Sequence, residues 1–416
     1  EQMYRPDRFE ADYARLFRMG LDLRYRQDEA LIAMDSNERC LLQAPPGFGK
    51  SYLFKSYCIT HPKAKIHVVA DGLSICQRLF DDIARSIPDV GQVGGGKKCW
   101  RRVTVLSADS VHKAEFEDPD HKAFADVVLA DEVHLLAAPE AWRKLLMYQW
   151  GRMYGVSANL GDRFDGADAA LEPIFGEPAF QMTYQEAQEA GLVTPIEVEW
   201  VEVWGEDPVS GQEEFCRRRR DGFKRLCYWE HDLRNDKIAD KVASWPAEEQ
   251  GLILTETIEH LLHLKRRLPD LVLAYGPEGM DESRYRAAVA NGILHPERDP
   301  KLDRPRLREI QFRFERGEIK RAAANKVWDT GVDFTNLCHL FLAHAMEGRI
   351  PNTQGPGRVS RINEAIGKKV GYVYACYDAF NDAARKRSLT IRSAFDSHGW
   401  RSVNFPTRRR GQSSLL

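Results

Sequence analysis

Short apolar runs of strand length alternate with helix-patterned stretches along almost the whole chain, and this rhythm constrains the fold more than any other feature. In the first half the runs are Cys40 to Ala44, Lys65 to Ala70, Val103 to Leu106, Asp126 to Ala130 and Met153 to Val156. Helical patterns begin at Lys50 and cover Leu73 to Ile87 and Ala141 to Tyr148. The second half repeats the order with Leu252 to Leu254, Leu271 to Ala274, Ile319 to Ala324, Leu337 to Ala343 and Val370 to Ala375, and with helices over Ile258 to Arg267 and Arg306 to Arg316. Strand, crossover helix and strand in succession predict an α/β fold with mainly parallel sheets flanked by helices. At 416 residues the chain is long enough for two such domains. The helix-like TYQEAQEAG ends on Gly191 with Pro195 soon after, which places the boundary there and gives domains over 1–195 and 196–395, followed by a basic tail over 396–416. Glu197 to Val203 alternates apolar and acidic residues, and Gly276 to Pro300, rich in Gly, Pro and charge, reads as a loop or partly mobile insertion.

Composition narrows the class further. Sixty Lys and Arg face 62 Asp and Glu, a net charge of −2, so any nucleic-acid surface has to be local. The apolar runs fall far short of the ~18 residues a membrane span requires. The first residues, EQMYRPDRFE, contain no apolar core and do not read as a signal peptide. Eight cysteines without a CxxC pair argue for reduced thiols and a cytoplasmic setting, and against a zinc site or disulfide framework.

Ala44 to Ser51 reads APPGFGKS, the pattern GxxxxGK[ST] with Ala44 in the first Gly position. Over Pro46, Gly47, Phe48 and Gly49 the two glycines let backbone N–H groups turn towards phosphate, Lys50 reaches the β- and γ-phosphates, and Ser51 can ligate Mg²⁺. A strand precedes the segment and a helix follows, adding the positive end of the helix dipole. Asp131 and Glu132 close the apolar run DVVLADEVH, 81 residues beyond Lys50. At the carboxyl end of a parallel strand they would face the phosphates, Asp131 holding Mg²⁺ and Glu132 polarising the attacking water.

With these in place the chain resembles superfamily 2 helicases and translocases over residues 21 to 380. LRYRQ, ending at Gln27, resembles the Q motif, whose glutamine reads the adenine edge. APPGFGKS resembles motif I, and Asp131 to His134 (DEVH) motif II. Ser157, Ala158 and Asn159 stand where the family has SAT, linking hydrolysis to domain movement, and His134 shares that coupling role. Leu252 to Thr255 looks like motif IV, and Thr330 to Asp333 (TGVD) like motif V, with Gly331 and Asp333 towards the nucleotide and Thr330 towards nucleic acid. Gln354 to Arg361 (QGPGRVSR) matches the QxxGRxxR form of motif VI, in which Gln354, Arg358 and Arg361 serve the γ-phosphate from the second domain. The resemblance implies two tandem RecA-like domains, with ATP and Mg²⁺ bound and hydrolysed between them. Arginine fingers of this kind accelerate hydrolysis by roughly 10³ to 10⁵.

DE-x-H with QxxGRVSR and GVD looks closest to DNA-directed members, namely the phage UvsW type, the RadD and XPB type and the motor subunits of restriction enzymes. The expected activity is therefore an ATP-dependent helicase or translocase on duplex or branched DNA, in repair, recombination or replication. The alternatives are a motor subunit of a restriction or defence complex and an RNA helicase. Candidate phosphate contacts are Arg217, Arg218, Arg219 and Arg220 with Lys224 and Arg225, the run Lys97, Lys98, Arg101 and Arg102 around Trp100, and Arg408 to Arg410. Trp100 could also stack on a base.

Overall fold

The computed structural model describes residues 6–111, 124–136, 151–158, 160, 167–328, 334–346, 352–353 and 355–406. The chain divides into two compact units, Glu1–Leu192 and Val193–Leu416.

In the first unit, eight strands among the described residues form one sheet: β1 (Arg39–Gln43), β2 (Ile66–Ala70), β3 (Val90–Gly94), β4 (Lys97–Cys99), β5 (Val103–Ser107), β6 (Val127–Asp131), β7 (Arg152–Ser157) and β8 (Pro178–Gln181). Their order is β4-β3-β5-β2-β6-β7-β1-β8, and every neighbouring pair is parallel except β3 with β4. Strands β2, β5 and β6 are buried at every residue, which is why they read as unbroken apolar runs. The helix Leu73–Ala84 buries Ile75, Cys76, Leu79 and Ile83, one stripe at helical spacing. The β3–β4 hairpin was not visible in the strand-helix rhythm. It turns on Gly95 and Gly96, both at positive φ, the backbone that a two-residue hairpin loop demands. All three residues of β4 are exposed at the sheet edge.

In the second unit the described strands are β9 (Ile196–Val203), β10 (Gln250–Leu254), β11 (Val272–Ala274), β12 (Arg321–Ala324), β13 (Leu337–Leu342), β14 (Gly371–Asp378) and β15 (Arg401–Ser402), ordered β11-β12-β10-β13-β14-β9-β15 and parallel throughout. The alternating stretch after Pro195 is an interior strand, with Ile196, Val198, Trp200 and Val203 buried.

Two expectations need correction here. Gly276 to Pro300 is not a plain loop, because it holds the helix Glu282–Ala290, capped by Asp281 accepting from Arg284 N–H at 2.7 Å. Met280 and Leu294 on either side are buried in the core. Nor does the stretch after 395 begin a free tail. Arg401–Ser402 pairs with β9, and Trp200 N–H donates to Asn404 Oδ1 at 2.7 Å. The Phe405 ring meets the Trp200 ring edge-on at 4.9 Å, so the apolar demand of Trp200 orders the chain up to this point. Arg408 to Arg410 and the helix expected over Ala141 to Tyr148 lie outside the described residues.

A buried ionic cluster ties the ends of β13 and β14 together. Arg234, from the helix Asp232–Ala243, donates to Asp378 Oδ1 at 3.0 Å and to the Ala343 carbonyl at 3.1 Å. Arg387, from the helix Asp382–Ser397, lies 3.6 Å from the other Asp378 oxygen and donates to the His344 carbonyl.

Candidate nucleotide site

Strand β1 runs into residues 44–49 and the helix Lys50–Thr60 begins immediately after, the strand-loop-helix context that APPGFGKS requires. Ala44 N–H donates to the Ser157 carbonyl at 3.0 Å, fixing the base of the loop to the end of β7. Gly47 and Gly49 have φ of 95° and 87°, left-handed backbone that favours glycine. A Cβ on Gly49 would come within 2.8 Å of Gln27 Nε2, so the loop is closed behind by the Gln27 side chain.

Asp131 is the last residue of β6 and Glu132 follows it. The strand order β6-β7-β1 and the registers Asp131 opposite Val156 and Gln43 opposite Ser157 bring three strand ends to one level. Lys50 Nζ lies 2.7 Å from Glu132 Oε1. Asp131 is buried, and one of its oxygens accepts Glu132 N–H at 3.1 Å. Burial, then the neighbouring Glu132 charge, pushes the Asp131 carboxyl up to about 6. Burial also acts to raise Glu132, but Lys50 and then His134 outweigh it and hold that carboxyl below its ordinary value. Glu132 stands at φ +48°, a left-handed conformation uncommon for a residue with a side chain.

His134 is buried, with Nδ1 2.7 Å from Ser157 Oγ and 3.4 Å from Glu132 Oε2; Ala158 follows half-buried. Gln27 is also buried, its amide on the carbonyl of Phe48. Phe48 is itself buried against the Phe180 ring. The half-buried Ser51 opens the helix one residue after Lys50. The donor set fits a triphosphate carrying Mg²⁺: a cationic Lys50 at a helix N-terminus, and two hard oxygen donors in Ser51 and Asp131, where magnesium takes few protein ligands and completes its shell with phosphates and water. One residue that the motifs did not supply is Arg78, half-buried on the helix Leu73–Ala84, whose charge acts to lower both acids.

The remaining candidates divide. Thr330, Gly331, Asp333 and Gln354 lie outside the described residues, as does Asn159. Arg358 closes the short 3₁₀ turn Pro356–Arg358 and is buried, its guanidinium donating to the Trp328 carbonyl; Arg361 is half-buried. Arg217 to Arg220 are all exposed, on and just after the helix Glu213–Arg218. In the run around Trp100, three of the four cations engage protein groups. Lys97 bonds Gln77 and Gln92, Arg101 pairs with Asp89, and Arg102 donates to the carbonyls of Cys58, His61 and Ala64 where the helix Lys50–Thr60 ends. Trp100 is half-buried, packing against His67 at 5.4 Å and against the apolar core.

Residues 20–158 match the family described as "Type III restriction enzyme, res subunit". Two solved structures share the fold over 91% of this chain. One, the ATP-dependent Type ISP restriction-modification enzyme LlaBIII bound to DNA, has 13% identity and a TM-score of 0.58. The other, a fragment of a putative HsdR subunit of a type I restriction enzyme from Vibrio vulnificus, has 17% identity and a TM-score of 0.57. The chain spans 30% of the first and 68% of the second. No curated protein matches it. The family match thus covers 20–158, and over most of the chain the fold, mainly parallel sheets flanked by helices in two units, is the one these two structures share. Among the described residues no helix is long and apolar enough to cross a membrane.

Proposed function

We propose that this chain is an ATP-driven DNA translocase of the restriction-enzyme motor type, hydrolysing ATP at the ends of β1 and β6. The observation that carries this reading is the Lys50–Glu132 contact of 2.7 Å beside buried Asp131. A lysine held by the general base has an evident exchange partner in a triphosphate. Backbone N–H groups of the loop and Lys50 bind the phosphates, and Ser51 with Asp131 would hold Mg²⁺, which when bound neutralises phosphate charge. As Lys50 turns to phosphate, Glu132 loses a principal cause of its low pKa and becomes a stronger base towards the attacking water. Substrate arrival therefore arms the base. Among the described residues Glu132 Oε2 accepts no hydrogen bond, with His134 Nδ1 3.4 Å away, and it is the oxygen left for the attacking water.

DNA as the track, and a restriction or defence setting in preference to repair, are supported by the family match and by what the two similar structures are. The test measures ATPase with duplex, forked, four-way and single-stranded DNA and with RNA, alongside displacement of a triplex-forming strand. Duplex stimulation with triplex displacement is expected. Stronger stimulation by RNA, or strand separation on forks without movement along duplex, would turn the reading to an RNA helicase or a repair helicase.

A further inference from the structure

Gln27 is the first residue of the helix Gln27–Ser36 and has no exposed surface. Both ends of its amide are occupied by backbone. Oε1 accepts Arg24 N–H at 2.8 Å, and Nε2 donates to the Phe48 carbonyl at 2.7 Å and reaches the Gly49 carbonyl at 3.4 Å. Only the NH₂ end can face two carbonyls, so the amide's orientation is fixed by chemistry.

Those two carbonyls matter because a trans peptide is planar, with its C=O and N–H pointing opposite ways. The Phe48 carbonyl shares a plane with Gly49 N–H, and the Gly49 carbonyl with Lys50 N–H. The Gly49 carbonyl is already held by Leu53 N–H at 2.9 Å, so Gln27's own part is to hold the Phe48 carbonyl behind the loop, which turns Gly49 N–H to the front, where the phosphates would bind. The residues around Gln27 are fixed in turn. Arg26, left-handed at φ +58°, pairs with Glu29 at 2.9 Å and Glu186 at 3.2 Å and lies over the Phe180 ring, which packs on Phe48.

We propose that Gln27 is a positioning residue for the triphosphate and not the reader of the adenine edge that its place in LRYRQ implies. The inference rests on the nucleotide-site reading above. Gln27 aims the Gly49 N–H group, so its loss weakens every triphosphate alike, whatever the base.

The test compares Mg²⁺-ATP, Mg²⁺-GTP and Mg²⁺-tripolyphosphate binding by calorimetry to wild type, Gln27→Glu and Gln27→Met. Gln27→Glu keeps the shape but presents oxygens to two carbonyls, and Gln27→Met keeps the length without a donor. Each variant should weaken all three ligands by a common factor of ~5 to 30, the scale of one or two lost hydrogen bonds. The ATP:GTP ratio should stay within about twofold, with KM raised for both nucleotides more than kcat falls. Should Gln27→Met fail to melt cooperatively, the near-isosteric Gln27→Glu carries the comparison. A loss confined to ATP, with GTP and tripolyphosphate unmoved, would make Gln27 a base reader and overturn the inference, as would unchanged binding of all three. Wild-type protein that binds none of them would instead overturn the nucleotide-site reading itself.

Discussion

His134 Nδ1 stands 2.7 Å from Ser157 Oγ, so one imidazole joins the acids after β6 to the end of β7 while lying 3.4 Å from Glu132. This imidazole is the side chain through which a change at Glu132 would reach Ser157. His134→Ala and Ser157→Ala should each keep basal ATPase within a few-fold but lose most DNA stimulation and triplex displacement. Parallel assays with and without duplex DNA would show this; equal loss of basal and stimulated rates would assign the pair to chemistry or folding instead.

Lys50→Ala should abolish ATP binding, because the phosphate charge loses its cation. Glu132→Gln should bind ATP at least as well as wild type yet hydrolyse it ~10² to 10⁴ times more slowly, the range for a missing general base. Equilibrium binding and single-turnover hydrolysis separate the two. Near-native turnover by Glu132→Gln would remove that residue from the chemistry.

Asp131 sets a pH dependence whose sign is opposite to that of a salt-bridged acid. Its carboxyl titrates at about 6 in the folded chain, above the ordinary value of 3.8, so between those values the folded state binds more protons than the unfolded one. Stability from this group is thus lost as pH rises through that window. Asp131→Asn should raise the melting temperature at pH 8, by roughly 1–3 kcal/mol in stability, and change it little at pH 4. Scanning calorimetry of both proteins at the two pH values checks the sign. Mg²⁺ affinity of the wild type should also fall as pH drops below about 6.

Asp378 answers two buried guanidinium groups, Arg234 and Arg387. Asp378→Asn should cost the second unit about 3–5 kcal/mol, since both charges would remain without a counter-ion away from water. Urea denaturation followed by tryptophan fluorescence measures it, and a cost under 1 kcal/mol would mean that water reaches the cluster.

Replacing Arg217, Arg218, Arg219 and Arg220 together by serine should leave basal ATPase intact, weaken DNA stimulation, and flatten the log–log salt slope by about 0.7–0.9 per lost phosphate contact. Lys98→Ser, in the run whose other cations hold protein groups, should leave basal ATPase, DNA stimulation and the salt slope all unchanged. An unchanged salt slope in the quadruple variant would move the DNA contacts elsewhere.

The parallel sheets were legible because strands buried on both faces leave unbroken apolar runs, as Val127 to Ala130 does, and the nucleotide loop because glycine and lysine spacing is dictated by phosphate. What escaped has physical reasons. The helix Glu282–Ala290 is short and charged between Gly- and Pro-containing ends, so it carries no stripe that periodicity can find. Arg102 looked like a phosphate ligand because sequence shows a charge but not the three carbonyls at a helix end that engage it. Gln27 was found by its place in a motif, whereas its partners, the Phe48 and Gly49 carbonyls, are backbone atoms and leave no trace in residue identity.

Strand β4 gives the first sheet an unusual border. Its outer rim carries Lys97 and Lys98 on a strand of only three residues, and a tight diglycine turn folds it back antiparallel to a sheet that otherwise runs one way. An incoming strand from another molecule would have to extend the ladder beside two ammonium groups, over too short a length to gain much from its hydrogen bonds. Lys98, together with Lys97 beyond its bonds to Gln77 and Gln92, would thus discourage self-association through this edge. Converting them to valine and threonine should leave the monomer's fold and ATPase unchanged while making concentrated protein precipitate through this edge.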